Sequence, residues 1–142
     1  MLDCMILGDS IAVGMHMHMR ECRLYGKGGI NTWQWNRMYP VLQNSDVAVI
    51  SLGTNDHSGV KTRQELEAMR AKIHARKIYW ILPHGNLPAS LVPIESLRLI
   101  VKSIATEHGD AVIDFDSAPA RDGIHPSSRG YKEMAVSVRP EP

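Results

Sequence analysis

The sequence predicts an α/β protein, a three-layer α/β/α sandwich around a central, mostly five-stranded parallel sheet. Short apolar segments alternate with longer amphipathic segments, which gives five βα units along 142 residues. The segment VAVISL at 47–52 is apolar and β-branched throughout, as a strand covered on both faces is. The chain length suits one core, so we expect a single domain over residues 1–142.

The first two units are predicted within the N-terminal 42 residues. An apolar run over 2–7 ends at Gly8 and predicts a strand, and a helix is expected over 11–20. A short strand over 22–25 is closed by three glycines. The next helix, over 31–42, begins with Asn31 or Thr32, since either side chain can cap a helix N-terminus.

The remaining units follow the same alternation. In two helices the apolar residues recur at helical spacing, and Gly109 stands just past the end of the second of these. Pro83 stops a strand, and Pro126 with a serine pair introduces the last helix. We predict strand 47–52, helix 62–75, strand 77–82, helix 94–108, strand 111–115 and helix 127–138.

Composition and charge narrow the function class. A net charge of +1 gives no reason to expect nucleic acid or an anionic membrane as partner. The N-terminal apolar run is short and lacks a basic segment before it, so it indicates a strand and not a signal peptide. No apolar run approaches the roughly 18 residues that span a bilayer. We therefore expect a cytoplasmic location as synthesised, with release by lysis or with a partner left open.

Two cysteines, Cys4 and Cys22, fall in neighbouring predicted strands. Free thiols are the expectation, because disulfides are rare in proteins without a secretory signal.

Four polar motifs follow predicted strands, where the ligand sites of such sheets form. Three come directly after a strand, and the fourth follows the last strand after a short loop. They are Gly8-Asp9-Ser10, the glycine-rich segment 26–32, Gly53-Thr54-Asn55-Asp56 and Asp122-Gly123-Ile124-His125-Pro126.

Ser10 and His125 are candidates for nucleophilic catalysis. A serine at a strand end and helix start has unpaired backbone N–H groups nearby, which suit a nucleophile that passes through an oxyanion. Asp122, three residues before His125, can hold one imidazole nitrogen and leave the other for the serine. Taken alone, each motif also has an ordinary structural explanation. For Asp9 or Ser10 that explanation is a helix cap.

The other two motifs offer hydrogen-bond donors. Glycines after the second strand let the backbone approach a ligand and present its N–H groups. Asn55 can aim its amide into the same cleft. An ordinary turn is the favoured interpretation of the glycine motif taken alone, and it is also the alternative for the Asn55 motif. The glycine segment lacks the Lys-Ser or Lys-Thr pair of a phosphate loop.

Together, the four motifs occur in the block order of the SGNH (GDSL-like) hydrolases, which the chain resembles from Gly8 to Pro126. The resemblance implies a flavodoxin-like sandwich in which Ser10 attacks an ester carbonyl. It implies that His125 is the base and that Asp122 orients it. The lipase subgroup has Leu where this chain has Ile11.

The resemblance also implies an oxyanion hole made of the Ser10 N–H, the Gly29 N–H and the Asn55 side chain. Gly28 remains the alternative to Gly29. The expected reaction is hydrolysis of a carboxylic ester through an acyl-enzyme, with no metal and no cofactor. The small size favours a short acyl group, such as acetyl on a carbohydrate.

Three alternatives stay open. One is a lysophospholipase or thioesterase of the same family, and another is a non-catalytic carbohydrate-binding module on the same fold. The third, a flavodoxin-like nucleotide binder, is disfavoured because a phosphate loop is missing. A small-molecule or glycan ester is the expected partner, and the oligomeric state stays open.

Several further residues are weaker candidates. The candidates for substrate contact from the same rim are Asp9, Asp56, His57 and His84. The tract at 15–19, Met-His-Met-His-Met, has soft-metal ligands, but its two histidines lie about 200° apart on a helix, so core and surface alternation is favoured. Trp33 and Trp35 are suited to stacking on a sugar, with core packing the favoured interpretation.

Overall fold

The computed structural model describes residues 3–84, 92–115 and 124–138. Its centre is a five-stranded parallel sheet with strand order β2-β1-β3-β4-β5, so the predicted fold class is confirmed. The strands are β1 (Cys4–Gly8), β2 (Arg23–Gly26), β3 (Ser45–Ser51), β4 (Ala75–Ile81) and β5 (Ala111–Ile113). The helices are α1 (Ser10–His16), α2 (Thr32–Met38), α3 (Thr62–Lys72), α4 (Ile94–His108) and α5 (Ser128–Ser137).

Two apolar layers cover the sheet, one on each face. Alternate residues of the central strands point to opposite sides, so Leu7 and Ile50 pack with α2, α3 and α4, whereas Ile6 and Val49 pack with α1 and α5. The first crossover therefore lies on one face and the second on the other. This reversal places a topological switch point between β1 and β3, where α/β sheets form ligand sites.

The predicted element boundaries agree best with the structure where a residue at the boundary itself signals the end of the element. Helix α4 has the predicted bounds 94–108, and Gly109 ends it in the left-handed conformation with φ of 71°. Helix α2 ends at Met38 and not at 42 as predicted, because Pro40 disfavours helical backbone at the residue before it. Helix α1 ends at His16 and not at 20, and Met19 beyond it is buried against the sheet.

Cys4 and Cys22 form a disulfide, so the expectation of free thiols was wrong. Cys4 begins β1 and Cys22 immediately precedes β2, and the parallel pairing of these strands brings the two Cα atoms to 4.7 Å. Both residues are buried in the layer beneath α1 and α5.

Within the described ranges, no helix combines the length and the apolar character needed to cross a bilayer.

Candidate active site

Ser10 and His125 meet at the carboxyl edge of the sheet. Ser10 Oγ lies 2.7 Å from His125 Nε2, a hydrogen-bond distance, although 115 positions separate the two residues in sequence. Ser10 is the first residue of α1, and His125 lies three residues before α5 begins. Because α1 and α5 pack side by side on the same face, these two helix starts face each other. The pair has the geometry of a nucleophile and its general base.

Gly8 makes the sharp turn from β1 into α1 possible. Its φ is +139°, and a Cβ there would overlap the carbonyl oxygen of Ser51 on the neighbouring strand β3. The backbone N–H of Asp9 then donates to the same carbonyl oxygen at 2.9 Å. Only glycine fits this position, so the turn fixes where Ser10 begins the helix.

Asp9, and not Ser10, caps α1. Its Oδ1 accepts the Ile11 N–H at 3.0 Å and the Ser51 hydroxyl at 3.2 Å. The cap thus leaves the Ser10 hydroxyl to bond with His125.

The Asp9 carboxyl group is completely buried, which changes its acidity. Burial raises the pKa of Asp9 to about 6, although hydrogen bonds from Ile11 and Ser51 and the charge of His125 act in the opposite direction. Asp9 Oδ2 has no hydrogen-bond partner among the described residues. The group therefore contributes to the electrostatics beside Ser10 without exposure to a substrate.

Backbone N–H groups gather around Ser10. Its own N–H is at the first position of α1, where no intrahelical acceptor exists. The glycine turn after β2 lies alongside, since a Cβ built on Gly28 would be 3.9 Å from the Ser10 Cβ. Gly29, with φ of +78°, is the next residue of that turn, which the Ile30 N–H closes onto the Lys27 carbonyl at 3.4 Å. An oxyanion N–H from Gly29, with Gly28 as the alternative, stays a prediction.

Asn55 joins this turn to the end of β3. Its Nδ2 donates to the Ile30 carbonyl at 3.1 Å, which holds the partly buried amide beside the glycine turn. One amide N–H is used in this bond, and the second is left for a ligand. The role of Asn55 as an oxyanion donor stays a prediction.

The sequence and fold of this chain are similar to those of known proteins. The sequence model of the GDSL-like Lipase/Acylhydrolase family matches residues 6–133. The chain belongs to this family. The match includes Ser10, Asn55 and His125, and it covers nearly all of the sheet and its helices. No curated protein matches the chain in sequence.

Several solved structures share the fold at low sequence identity. A GDSL-like lipase from Bacteroides thetaiotaomicron superposes with a TM-score of 0.70 at 18% identity, over 94% of this chain and 84% of that one. A carbohydrate acetylesterase family member from Sinorhizobium meliloti gives 0.70 at 14% identity, over 96% and 94%. A variant of an acetyl-xylooligosaccharide esterase from Geobacillus gives 0.66 at 18% identity, over 95% and 91%.

Asp56 of this GDSL-like family member holds two helix starts in place. Its side chain is fully buried, and Oδ1 accepts the Thr32 N–H at 2.9 Å. Oδ2 accepts the hydroxyl groups of Thr32 and Thr62, each at 2.7 Å. The carboxylate therefore fastens the starts of α2 and α3 to the loop after β3, where it is shielded from a substrate.

The two candidate histidines differ in their surroundings. His57 is exposed, and its Nδ1 accepts the Gly59 N–H at 3.1 Å, which leaves Nε2 as a donor. His84 is half-buried and packs edge-on against Phe115, with ring centroids 5.3 Å apart. His57 thus has a nitrogen free to contact a ligand.

The predicted third member of the triad, Asp122, lies outside the described residues, and its role stays a prediction.

The methionine–histidine tract alternates between core and surface, as expected. Met15 and Met19 are buried, Met17 is exposed, and the ring of His16 bonds to the Cys22 carbonyl at 3.0 Å.

The two tryptophans of α2 were expected in the core, and only one is there. Trp35 is buried and donates to the Tyr25 carbonyl at 2.8 Å, whereas Trp33 is 52% exposed. The spacing contained the signal, because residues two apart on a helix point in nearly opposite directions.

Proposed function

We propose that this chain is a serine esterase that hydrolyses a carboxylic ester through an acyl-enzyme. The observation that carries the proposal is the 2.7 Å contact between Ser10 Oγ and His125 Nε2 at the N-terminus of α1. A serine bonded to an imidazole beside unpaired backbone N–H groups has the parts that acyl transfer needs. Membership of the GDSL-like family supports the same chemistry.

In this mechanism His125 takes the Ser10 proton while Ser10 Oγ attacks the ester carbonyl carbon. The ester C–O bond then breaks, and the alcohol leaves with the proton from His125. Water, deprotonated by His125, attacks the acyl-enzyme and releases the acid and free Ser10. N–H groups of Ser10 and of Gly29 or Gly28, with the amide of Asn55, stabilise the negative oxygen. Asp122 orients the imidazole.

The substrate class we propose is a short acyl ester, acetyl, on a carbohydrate. Two of the structural relatives described above are named for acetyl esters of carbohydrates, which supports the class by analogy of fold. A lysophospholipase or thioesterase is the alternative within the family. The hydrogen-bonded Ser10–His125 pair favours an enzyme over a non-catalytic carbohydrate-binding module.

Ser10→Ala tests the nucleophile. We expect kcat on p-nitrophenyl acetate to fall by on the order of 10⁶, because the acyl acceptor is removed while a helix-start alanine leaves the fold intact. Labelling by a fluorophosphonate should also disappear. The matched control is Ser96→Ala, an exposed serine of α4 on the other face of the sheet, which should keep both readouts.

A folded Ser10→Ala protein with near-normal turnover would refute the proposal. A series of p-nitrophenyl esters from acetate to octanoate tests the acyl length, and a preference for octanoate would favour the lysophospholipase or thioesterase alternative.

A further inference from the structure

A groove of ≈ 440 Å³ lies between α2 and the start of α3, beside the candidate active site. Asn31 and His57 line it, and each is close in sequence to a candidate oxyanion group. Asn31 follows Ile30, whose carbonyl holds the Asn55 amide, and His57 comes two residues after Asn55. The groove therefore begins next to residues that hold the candidate oxyanion donor Asn55.

Trp33 forms an exposed aromatic wall of the groove. About half of its side chain is exposed, at 52%. The guanidinium carbon of Arg37 lies 4.6 Å from the ring centroid, and Arg37 Nη1 bonds to the Trp33 carbonyl at 3.1 Å and to Glu65 Oε1 at 2.6 Å. Arg37 thus covers one face of the indole and holds the ring, so the face that Arg37 leaves open is arranged before a ligand arrives.

The groove also offers unused hydrogen-bonding groups. The Asn31 oxygen caps α2 at Gln34, which leaves the Asn31 Nδ2 free, and His57 keeps its Nε2 N–H. In the described part of the chain the side chains of Lys61 and Gln64 make no hydrogen bond. Most of these groups are donors, which suits a ligand rich in oxygen lone pairs.

The carboxylate that lines the groove, Glu65, is ionised and its charge is already paired with Arg37. Burial alone would raise the pKa of Glu65, but hydrogen bonds from Asn36 and Arg37 outweigh it and lower that pKa. Its Oε1 is 2.6 Å from Arg37 and 2.8 Å from Asn36 Nδ2. The groove therefore presents an aromatic surface with hydrogen-bond donors around it, which can stack on the apolar face of a sugar and bond to its hydroxyl groups.

We propose that this groove binds the glycan part of the ester, with a pyranose ring stacked on Trp33 and its hydroxyl groups bonded to Asn31, His57 and Gln64. The proposal rests on the proposed esterase function and adds where the sugar lies. Trp33 is then a specificity-determining residue for oligosaccharide esters.

The first experiment measures binding without turnover. Xylotetraose, cellotetraose and chitotetraose, all free of ester groups, are titrated calorimetrically into the full chain. We expect at least one to bind, and Trp33→Ala to raise its Kd about fivefold to tenfold, the effect of losing one aromatic stack. Met38→Ala, an exposed apolar residue of the same helix outside the groove, is the matched control and should leave Kd unchanged. Trp33→Phe should restore most of the affinity.

The second experiment compares kcat/KM on acetylated tetrasaccharide with kcat/KM on p-nitrophenyl acetate. Trp33→Ala should lower the ratio of these constants by about the same factor as it weakens binding, and Met38→Ala should not change it. Failure of the wild type to cleave p-nitrophenyl acetate would contradict the esterase function alone. Absence of binding to all three tetrasaccharides, or equal effects of Trp33→Ala and Met38→Ala, would overturn the glycan groove.

Discussion

The carboxyl group of Asp9 lies next to the candidate nucleophile and titrates in an unusual range. Burial raises its pKa to about 6, from the ordinary value of 3.8. Folding therefore favours the protonated form, so between about pH 4 and pH 6 the folded chain binds more protons than the unfolded chain. The contribution of Asp9 to stability is greatest below pH 4, falls as pH rises to 6, and is constant above that.

Asp9→Asn should flatten this dependence. The asparagine oxygen can still accept from the Ile11 N–H and the Ser51 hydroxyl, but the side chain no longer ionises. In the wild type, Asp9 should make the free energy of unfolding, measured in urea, fall by about 2.5 kcal/mol between pH 4 and pH 8. We expect this fall to be absent in Asp9→Asn. Asp46→Asn, at the opposite end of the sheet, is the control. An unchanged pH profile in Asp9→Asn would contradict the assigned acidity.

At the scale of elements, one buried ion pair ties α3 to the turn after α4. Arg70 Nε and Nη2 donate to the two oxygens of Asp110 at 2.8 and 3.0 Å, and Trp80 Nε1 donates to Oδ2 at 2.9 Å. The side chain of Arg70 is 17% exposed and that of Asp110 is 5% exposed. The pair therefore connects α3, β4 and the start of β5, on the face away from the candidate nucleophile.

Asp110→Asn should destabilise the fold strongly, by about 3–5 kcal/mol, because it removes the negative charge that balances the largely buried guanidinium of Arg70. The control is Glu67→Gln, which removes an exposed i,i+4 pair with Arg63 on the same helix, where both side chains are 45% exposed. We expect that change to cost about 0–1 kcal/mol in the same denaturant titration. Similar losses in the free energy of unfolding for the two variants would show that the buried pair contributes no more to stability than the exposed pair.

Local signals explain which elements the sequence predicted well. Helix α4 has an apolar face at helical spacing and a glycine at its end, and both of its bounds were predicted. Helix α1 carries no such stop signal, and its end depends on how Met19 packs against the sheet. Its predicted end was therefore four residues too late.

At the scale of the whole molecule, the disulfide and the candidate active site lie at opposite ends of β1. Cys4 begins the strand, and Gly8 ends it one residue before Asp9. The bridge closes a loop with a sequence separation of 18, which restricts the unfolded chain. It should therefore affect stability far more than catalytic geometry.

Reduction should lower the free energy of unfolding by about 3 kcal/mol and leave turnover of p-nitrophenyl acetate unchanged at temperatures well below unfolding. A double substitution of Cys4 and Cys22 by alanine provides a second measurement under non-reducing conditions. Titration of thiols in the unfolded, unreduced protein checks the bond itself. Two free thiols, or equal stability with and without reductant, would contradict this prediction.

The sequence by itself determined the α/β class, the order of the elements and the residues from which the candidate site is built. These follow from local patterns, because apolar periodicity and the motif after each strand involve neighbours along the chain. The resemblance to the SGNH hydrolases already implied that Ser10 and His125 work together, and the structure brings the two side chains to 2.7 Å. The tertiary structure alone decided that Asp9 is buried, that Cys4 bonds Cys22 and that Trp33 faces a groove. Each of these depends on side chains distant in sequence, which come together only when the helices pack on the twisted parallel sheet.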